Sequence, residues 1–385
     1  MNLGRNTQSF ADTTPVDCLI RGRWRGTGAP IELRLRGGRV RSIRPAGRAT
    51  PDFGSDTHIL SPPLLDIQVN GANGVDLQDP QLDTARLASI TRYLSQRGVG
   101  RWVPTLVTMP LDAMEQACRV IAVARREDPN LARAIPGIHI EGPFISPLDG
   151  PRGAHPLAHV RPPDWKAFQR LLRASEHSIL YTTLAPELPG AKAFIRRAVA
   201  AGVRVSLGHH HADAEQVHAA AQAGATLCTH LGNGVMAILP RHHNPLWPQL
   251  DEPRLAASLI ADLHHLPPEV LRVMVRAKGA ARIVLVSDCT HLSGLKPGRY
   301  PSFGQEVELC RDGAIRIPGS PLLAGSAATL DVCLRRAVSA GALSWPQAIA
   351  SGTTIPARLL GIKAAFARPR EGAKAAFALL NPAIS

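Results

Sequence analysis

VRVSLGHHHADAEQVHAAAQAGATLCTH, residues 203 to 230, sets two strand-like runs around one helical run. VRVSL is short and β-branched, and it stops at Gly208. Residues 213 to 223 are rich in alanine, and the Asp213 carboxylate suits the helix N-cap. ATLCTH then returns to strand character. Both strand runs end in histidine, at His209 and at His230. Strand, helix and strand in this order are the unit from which parallel sheets are built.

The same texture continues on both sides. LLDIQVN precedes a helical run at 84–97, RWVPTLVT one at 111–127, IPGIHIE one at 163–175 and SILYTTL one at 190–201. LAASLIAD leads to 267–277, and RIVLVSD leads, after a long loop, to 325–340. Eight strand candidates, most with a following helix, fall within about 300 residues, which argues for a closed parallel barrel. A doubly wound sheet is the competing architecture, but no G-x-G-x-x-G follows a first strand. Residues 16 to 60 differ: VDCLIRGRW, IELRLRGG and RVRSIRP read as short strands, with Gly37-Gly38 as a hairpin turn. The tail AAFARPREGAKAAFALLN returns to such pieces. The expected fold is α/β, a (β/α)8 TIM-like barrel over 63–362. A small β-sandwich domain is expected from the N-terminal segment 1–62 and the C-terminal segment 363–385.

Composition narrows the function classes. The 385 residues are 45% hydrophobic and 19% charged, as in ordinary globular proteins. No apolar run approaches the ~18 residues that span a bilayer, and MNLGRNTQSFADTTP lacks a secretory core. Six scattered cysteines with no C-x-x-C pair suit reduced thiols, so a cytoplasmic protein with no membrane partner is expected. The net charge of +14 is spread rather than blocked, and aromatics are only 4%. Nucleic acid is therefore not an expected partner, whereas an anionic small molecule is.

Polar residues gather where apolar runs stop. The first strand ends at Gln68 and Asn70, the third at His139 and Glu141, the fifth at His209 and the sixth at His230. The seventh stops near His264 and His265, and the eighth at Asp288. Barrels place their chemistry at these C-terminal strand ends. One glutamate and two histidines from three strands, with an aspartate on a fourth, make a metal-hydrolase set. Zinc takes such ligands, keeps a position open for water and lowers that water's pKa to roughly 7. A carboxylate beside it can take the proton and return it to a leaving group.

At these residues the chain resembles the amidohydrolase superfamily, and within it the N-acetylglucosamine-6-phosphate deacetylases. The matching segments are LLDIQVNGANG, VPTLVT, GIHIEGPFIS, RGAHP, LAPE, GHHHA, THLGNG, IADLHHL, LVSDCT and LAGS, in family order from about residue 60 to 365. The resemblance implies that Glu141, His209 and His230 hold the metal. It implies that Asp288 is the general base and then acid, and that His155 contacts substrate and polarises the amide carbonyl. His265 takes the place of a substrate-binding histidine, and Asn233, Gly234 and Arg241 face the sugar phosphate. In the family that arginine can come from a neighbouring subunit, which implies a homodimer.

Many amidohydrolases carry His-x-His on the first strand for a second metal; here Gln68 and Asn70 share that face. Neutral amides are poor zinc ligands beside imidazole. One divalent metal ion per subunit is therefore expected, with zinc suited to the ligand set, and Gln68 and Asn70 are left to bind water or substrate. The chain departs from the family at Leu263, where a glycine is usual, and at Gly234, where alanine is usual. The segment MAILPRHHNPLWPQL around Arg241 also departs. The leading expectation is hydrolysis of the N-acetyl group of an amino sugar 6-phosphate by metal-bound hydroxide. The alternatives are deacylation of an unphosphorylated or epimeric sugar, and a silent basic binding protein on the same scaffold. Within the triple histidine, His209 is the expected ligand, His210 either a residue behind the ligands or one on the pocket wall, and His211 a solvated loop residue.

Overall fold

A computed structural model of the chain describes residues 8–11, 17–302, 304–320, 322–363 and 368–383. Eight parallel strands form the central sheet: Leu64–Val69, Val99–Val107, Ile138–Glu141, Ile179–Leu184, Arg204–Leu207, Ala225–Cys228, Ala256–Ile260 and Ile283–Val286. They lie in sequence order. At the seam between the eighth and first strands, Asp288 N donates to Gln68 O at 3.0 Å, and Asn70 N donates to Cys289 O at 2.8 Å. These two bonds close the barrel beside the polar strand ends.

The helices follow local rules. Leu111–Glu127 buries Met114, Ala117, Cys118, Ile121 and Ala124, one stripe at helical spacing. Asp213 and Gln216 form a capping box on Ala214–Ala223, and Gly224 at φ 115° ends that helix. Alternation along the strands divides the core. Leu64, Ile138, Ile140, Val205 and Leu285 turn outward to the helices. Leu65, Ile67, Val103, Tyr181, Leu227 and Val286 fill the barrel interior against Ile355 and Leu360.

A layer of hydroxyls lies above that apolar plug. His139 stacks on Tyr181 at 3.8 Å and bonds Thr105 and Thr183, and Thr183 in turn bonds Thr229. His139 is thus a buried partner of the strands rather than part of the pocket above them.

Both chain ends contribute to one six-stranded sheet, in the spatial order Gln8–Ala11, Ala376–Leu380, Phe53–Ser61, Cys18–Trp24, Ile31–Arg36, Arg39–Pro45. It has its own apolar cluster around Ile20, Leu33, Leu60 and Phe377. Part of the tail read as strand-like, 364–367, lies outside the described residues.

The stretch read as a long loop after RIVLVSD contains instead a four-stranded antiparallel sheet: Gly298–Ser302, Gln305–Leu309, Ala314–Arg316 and Leu323–Ser326. Its strands are three to five residues long and carry Arg299, Glu306, Glu308 and Arg316, so no apolar run marks them. Val307, Leu309, Ile315 and Ala324 give it a small core.

Candidate functional site

The three expected metal ligands converge. Glu141 Oε1 lies 3.1 Å from His209 Nε2 and 3.0 Å from His230 Nε2, and the two nitrogens are 3.1 Å apart. A tetrahedral ion with bonds of ~2.0–2.1 Å holds its ligands about 3.3 Å apart, so this spacing fits a metal. Glu141, His155 and His209 also bring ligand atoms within 4.8 Å of one another. Main-chain partners separate the two cases. His209 Nδ1 lies 2.8 Å from the Pro151 carbonyl, which can only accept; Nδ1 carries the proton and Nε2 offers a lone pair. His155 Nδ1 accepts from the Thr108 main-chain N–H at 3.4 Å and lies 2.7 Å from Thr108 Oγ1. In neutral His155 the proton is therefore on Nε2, which suits a donor better than a ligand. Its rings stand 4.3 Å from those of His209, and burial followed by the His209 charge keeps His155 well below the usual imidazole range.

Burial works to raise the Glu141 pKa, but the His209 and His230 imidazoles beside it outweigh that effect and hold the group well below 4.5. Burial, then the Glu141 charge, pushes Asp288 up to about 6. Gln68 Nε2 donates to Glu141 Oε2 at 3.0 Å and to Asp288 Oδ1 at 3.1 Å, and Asn70 Nδ2 donates to Asp288 Oδ1 at 2.7 Å. Gln68, expected to touch water or substrate, thus bridges the Glu141 and Asp288 carboxylates, and Asn70 holds Asp288. Asn70 also reaches the pocket wall.

Three of these residues sit in the left-handed backbone region: His209 at φ 54°, His230 at 31° and Asp288 at 50°. Such conformations cost about 1–3 kcal/mol each and persist only where surroundings impose them. Here the imposing bonds are visible. Ser146 N donates to His209 O, His230 N to Ser258 Oγ, and Ser326 N to Asp288 O. Leu263, at φ 59°, is a fourth case in the seventh loop. Asp262 holds that loop: Oδ1 accepts His264 N and His265 N, and Oδ2 accepts His265 Nδ1 at 2.8 Å. A leucine therefore occupies the left-handed position that a glycine would fill more cheaply, while His265 keeps its place.

Gly234 matters more than its size suggests. Its φ is 60°, and an added Cβ would stand 2.9 Å from His209 Nδ1 and 3.3 Å from Pro151 O. Gly234→Ala is expected to disturb the bond that orients His209. Metal affinity should fall about 10–100-fold, the range for a lost orienting contact. Competition with a chromophoric chelator measures this, and unchanged affinity would show that the Pro151 contact is dispensable.

The pocket above the centre has a volume of about 360 Å³. Glu141, His155, His209, His230, Asn233, Gly234, His264, His265 and Asp288 line it, with Leu322 and Leu323 from the small inserted sheet. No lysine or arginine among the described residues does so. Arg241 stands apart: it is exposed, and its carbonyl accepts Trp247 Nε1 at 3.0 Å. His210 is buried without lining the pocket, its Nδ1 accepting Ala212 N at 3.2 Å, and burial lowers its pKa to about 4. His211 is exposed on a separate groove. Sequence reading passed over Thr108, whose place at the end of the second strand, matching the other polar ends, was the available signal.

No family model matches the chain. It is 37% identical over 338 residues to the N-acetylglucosamine-6-phosphate deacetylase of Bos taurus, covering 85% of this chain and 80% of that protein. It is 31% identical to the N-acetylgalactosamine-6-phosphate deacetylase of Escherichia coli O157:H7, covering 91% and 90%. A solved structure of a mutant N-acetyl-D-glucosamine-6-phosphate deacetylase from Mycobacterium smegmatis, in complex with N-acetyl-D-glucosamine-6-phosphate, matches with a TM-score of 0.81 at 30% identity. That match covers 94% of both chains.

Proposed function

Because the chain belongs to the N-acetylglucosamine-6-phosphate deacetylase family of the amidohydrolase superfamily, we propose that it hydrolyses the N-acetyl amide of an amino sugar 6-phosphate. The observation that carries this reading is the convergence of Glu141 Oε1, His209 Nε2 and His230 Nε2 beside a buried Asp288 held by two amides.

Glu141, His209 and His230 would hold one divalent ion, and zinc suits this nitrogen and oxygen set. When bound, such an ion supplies Lewis acidity and a water acidic enough to attack an amide at neutral pH. The protein's residues do the rest. Asp288 takes the proton from the attacking water and delivers it to the departing nitrogen. His155 Nε2–H meets the carbonyl oxygen and stabilises the charge that grows there. Gln68 and Asn70 keep Asp288 aimed at the centre. His265, fixed by Asp262, would contact the sugar. Asn233 and Gly234 would face its phosphate.

The absence of lysine and arginine from the described pocket lining supports a further part of this reading. A phosphate needs a cation, and Arg241 is exposed and does not line the pocket of its own chain. We infer a homodimer in which Arg241 of one subunit completes the pocket of the other. No helix among the described residues is long and apolar enough to cross a membrane, in keeping with a cytoplasmic enzyme. A mixing assay tests the shared site. Arg241→Gln should lower kcat/KM for the 6-phosphate substrate by ~2–5 kcal/mol while leaving the free sugar unaffected. Mixing that variant with an Asp288 variant should restore phosphate-dependent turnover, because hybrid dimers contain one complete site. No recovery on mixing, with subunit exchange verified, would sink the shared arginine.

A further inference from the structure

We propose that Thr108 is a positioning residue of this site, holding His155 in the tautomer that turns an N–H rather than a lone pair into the pocket. The proposal rests on the reading of His155 as the group that meets the amide carbonyl. Thr108 directly follows the second barrel strand and is fully buried. Its main-chain nitrogen stands 3.4 Å from His155 Nδ1, and its Oγ1 stands 2.7 Å from the same atom. A main-chain amide can only donate, so Nδ1 must accept, and the freely rotating hydroxyl donates to it as well. A neutral imidazole that accepts at Nδ1 carries its proton at Nε2.

A second feature of the fold accommodates this hydroxyl. Gly142 follows the ligand Glu141 at φ 79°, and a Cβ there would lie 2.2 Å from Thr108 Oγ1 and 3.7 Å from His155 Nδ1. Only glycine leaves the hydroxyl its room and adopts that backbone freely. The turn after the third strand is shaped around a threonine of the second.

The neighbouring imidazole is set the opposite way. His209 Nδ1 donates to the Pro151 carbonyl, so its Nε2 offers a lone pair toward Glu141. Two rings 4.3 Å apart thus receive opposite tautomers, His155 from the Thr108 hydroxyl backed by its main-chain N–H, and His209 from a main-chain acceptor. The distinction has chemical consequences. A lone pair at His155 Nε2 would make His155 a further ligand beside Glu141 and His209, with which it brings a ligand atom within 4.8 Å, and would compete for the position that a catalytic metal keeps open. It would also remove the donor that the developing oxyanion needs. Thr108 lines no part of the pocket and acts only through His155.

Thr108→Val exchanges the hydroxyl for a methyl group. The expected result is a kcat about 10–100-fold lower, the range for a lost orienting contact, with KM and zinc content nearly unchanged. Thr108→Ser should restore kcat. The tautomer is read separately, from the imidazole nitrogen shifts of substrate-free, zinc-loaded protein, with the His155 signals assigned by their loss in His155→Gln. Wild type should show His155 protonated at Nε2, and the valine variant should show a larger Nδ1–H share. A wild-type ring protonated at Nδ1, unchanged shifts and kcat in the valine variant, or a serine variant as slow as valine would each overturn the proposal. The nitrogen shifts need no substrate. A chain that deacetylated no amino sugar phosphate would defeat the functional reading and still report on Thr108.

Discussion

Asp288→Asn should lower kcat by about 10²–10⁴-fold, the usual worth of a positioned acid-base group, and leave the fold intact. The site makes the substitution gentle. Asp288 Oδ1 accepts from both Gln68 and Asn70, and an asparagine oxygen in the same place keeps both bonds. The backbone there is left-handed, at φ 50°, where asparagine is among the better-tolerated residues. Burial and the Glu141 charge already penalise the ionised aspartate, so removing that charge does not destabilise the folded state. The variant should therefore melt no lower than wild type while it hydrolyses far more slowly. Stopped assays of amine release, paired with thermal denaturation, separate the two effects. Full activity in a well-folded variant would remove Asp288 from the mechanism.

Metal removal should have the larger effect. Exhaustive chelation is expected to bring turnover to background, and one equivalent of zinc to restore it. Stability should follow. An ion at a thousandfold excess over its Kd stabilises the folded state by about 4 kcal/mol, which in a protein of this size moves Tm by roughly 5 °C. The site explains the direction: Glu141 Oε1 and two imidazole nitrogens from three different strands lie within 3.1 Å of one another, and an ion held between them would tie those strands together. The stoichiometry is the sharper reading. Gln68 and Asn70 occupy the face on which a second metal would need imidazoles, and both already donate to carboxylates. Recovery that needs two equivalents would refute a single-metal centre.

Much of this was legible in sequence because the determinants are local. Period-two apolar runs ending in a polar residue, and alanine-rich runs begun by a capping aspartate, identify each βα unit without knowledge of its neighbours. The helix at Leu111–Glu127 falls where its apolar spacing places it. Glu141, His209, His230 and Asp288 stood out because each terminates such a run. The inserted sheet at Gly298–Ser326 did not stand out, since its short charged strands are stabilised by contact with one another rather than by their own pattern.

Sequence alone therefore determined the barrel and singled out Glu141, His209, His230 and Asp288 as polar residues at its strand ends. Tertiary structure decided everything that depends on which group meets which across the barrel. It joined Gln68 to Asp288, kept His139 out of the pocket lining and left Arg241 exposed outside that lining. It also gave His155 and His209 opposite protons through Thr108 and Pro151. The reason is physical. A strand's alternation and a helix's period are written in consecutive residues. A tautomer is set by a donor or acceptor 47 or 58 residues away, which only the closed barrel brings within hydrogen-bonding distance.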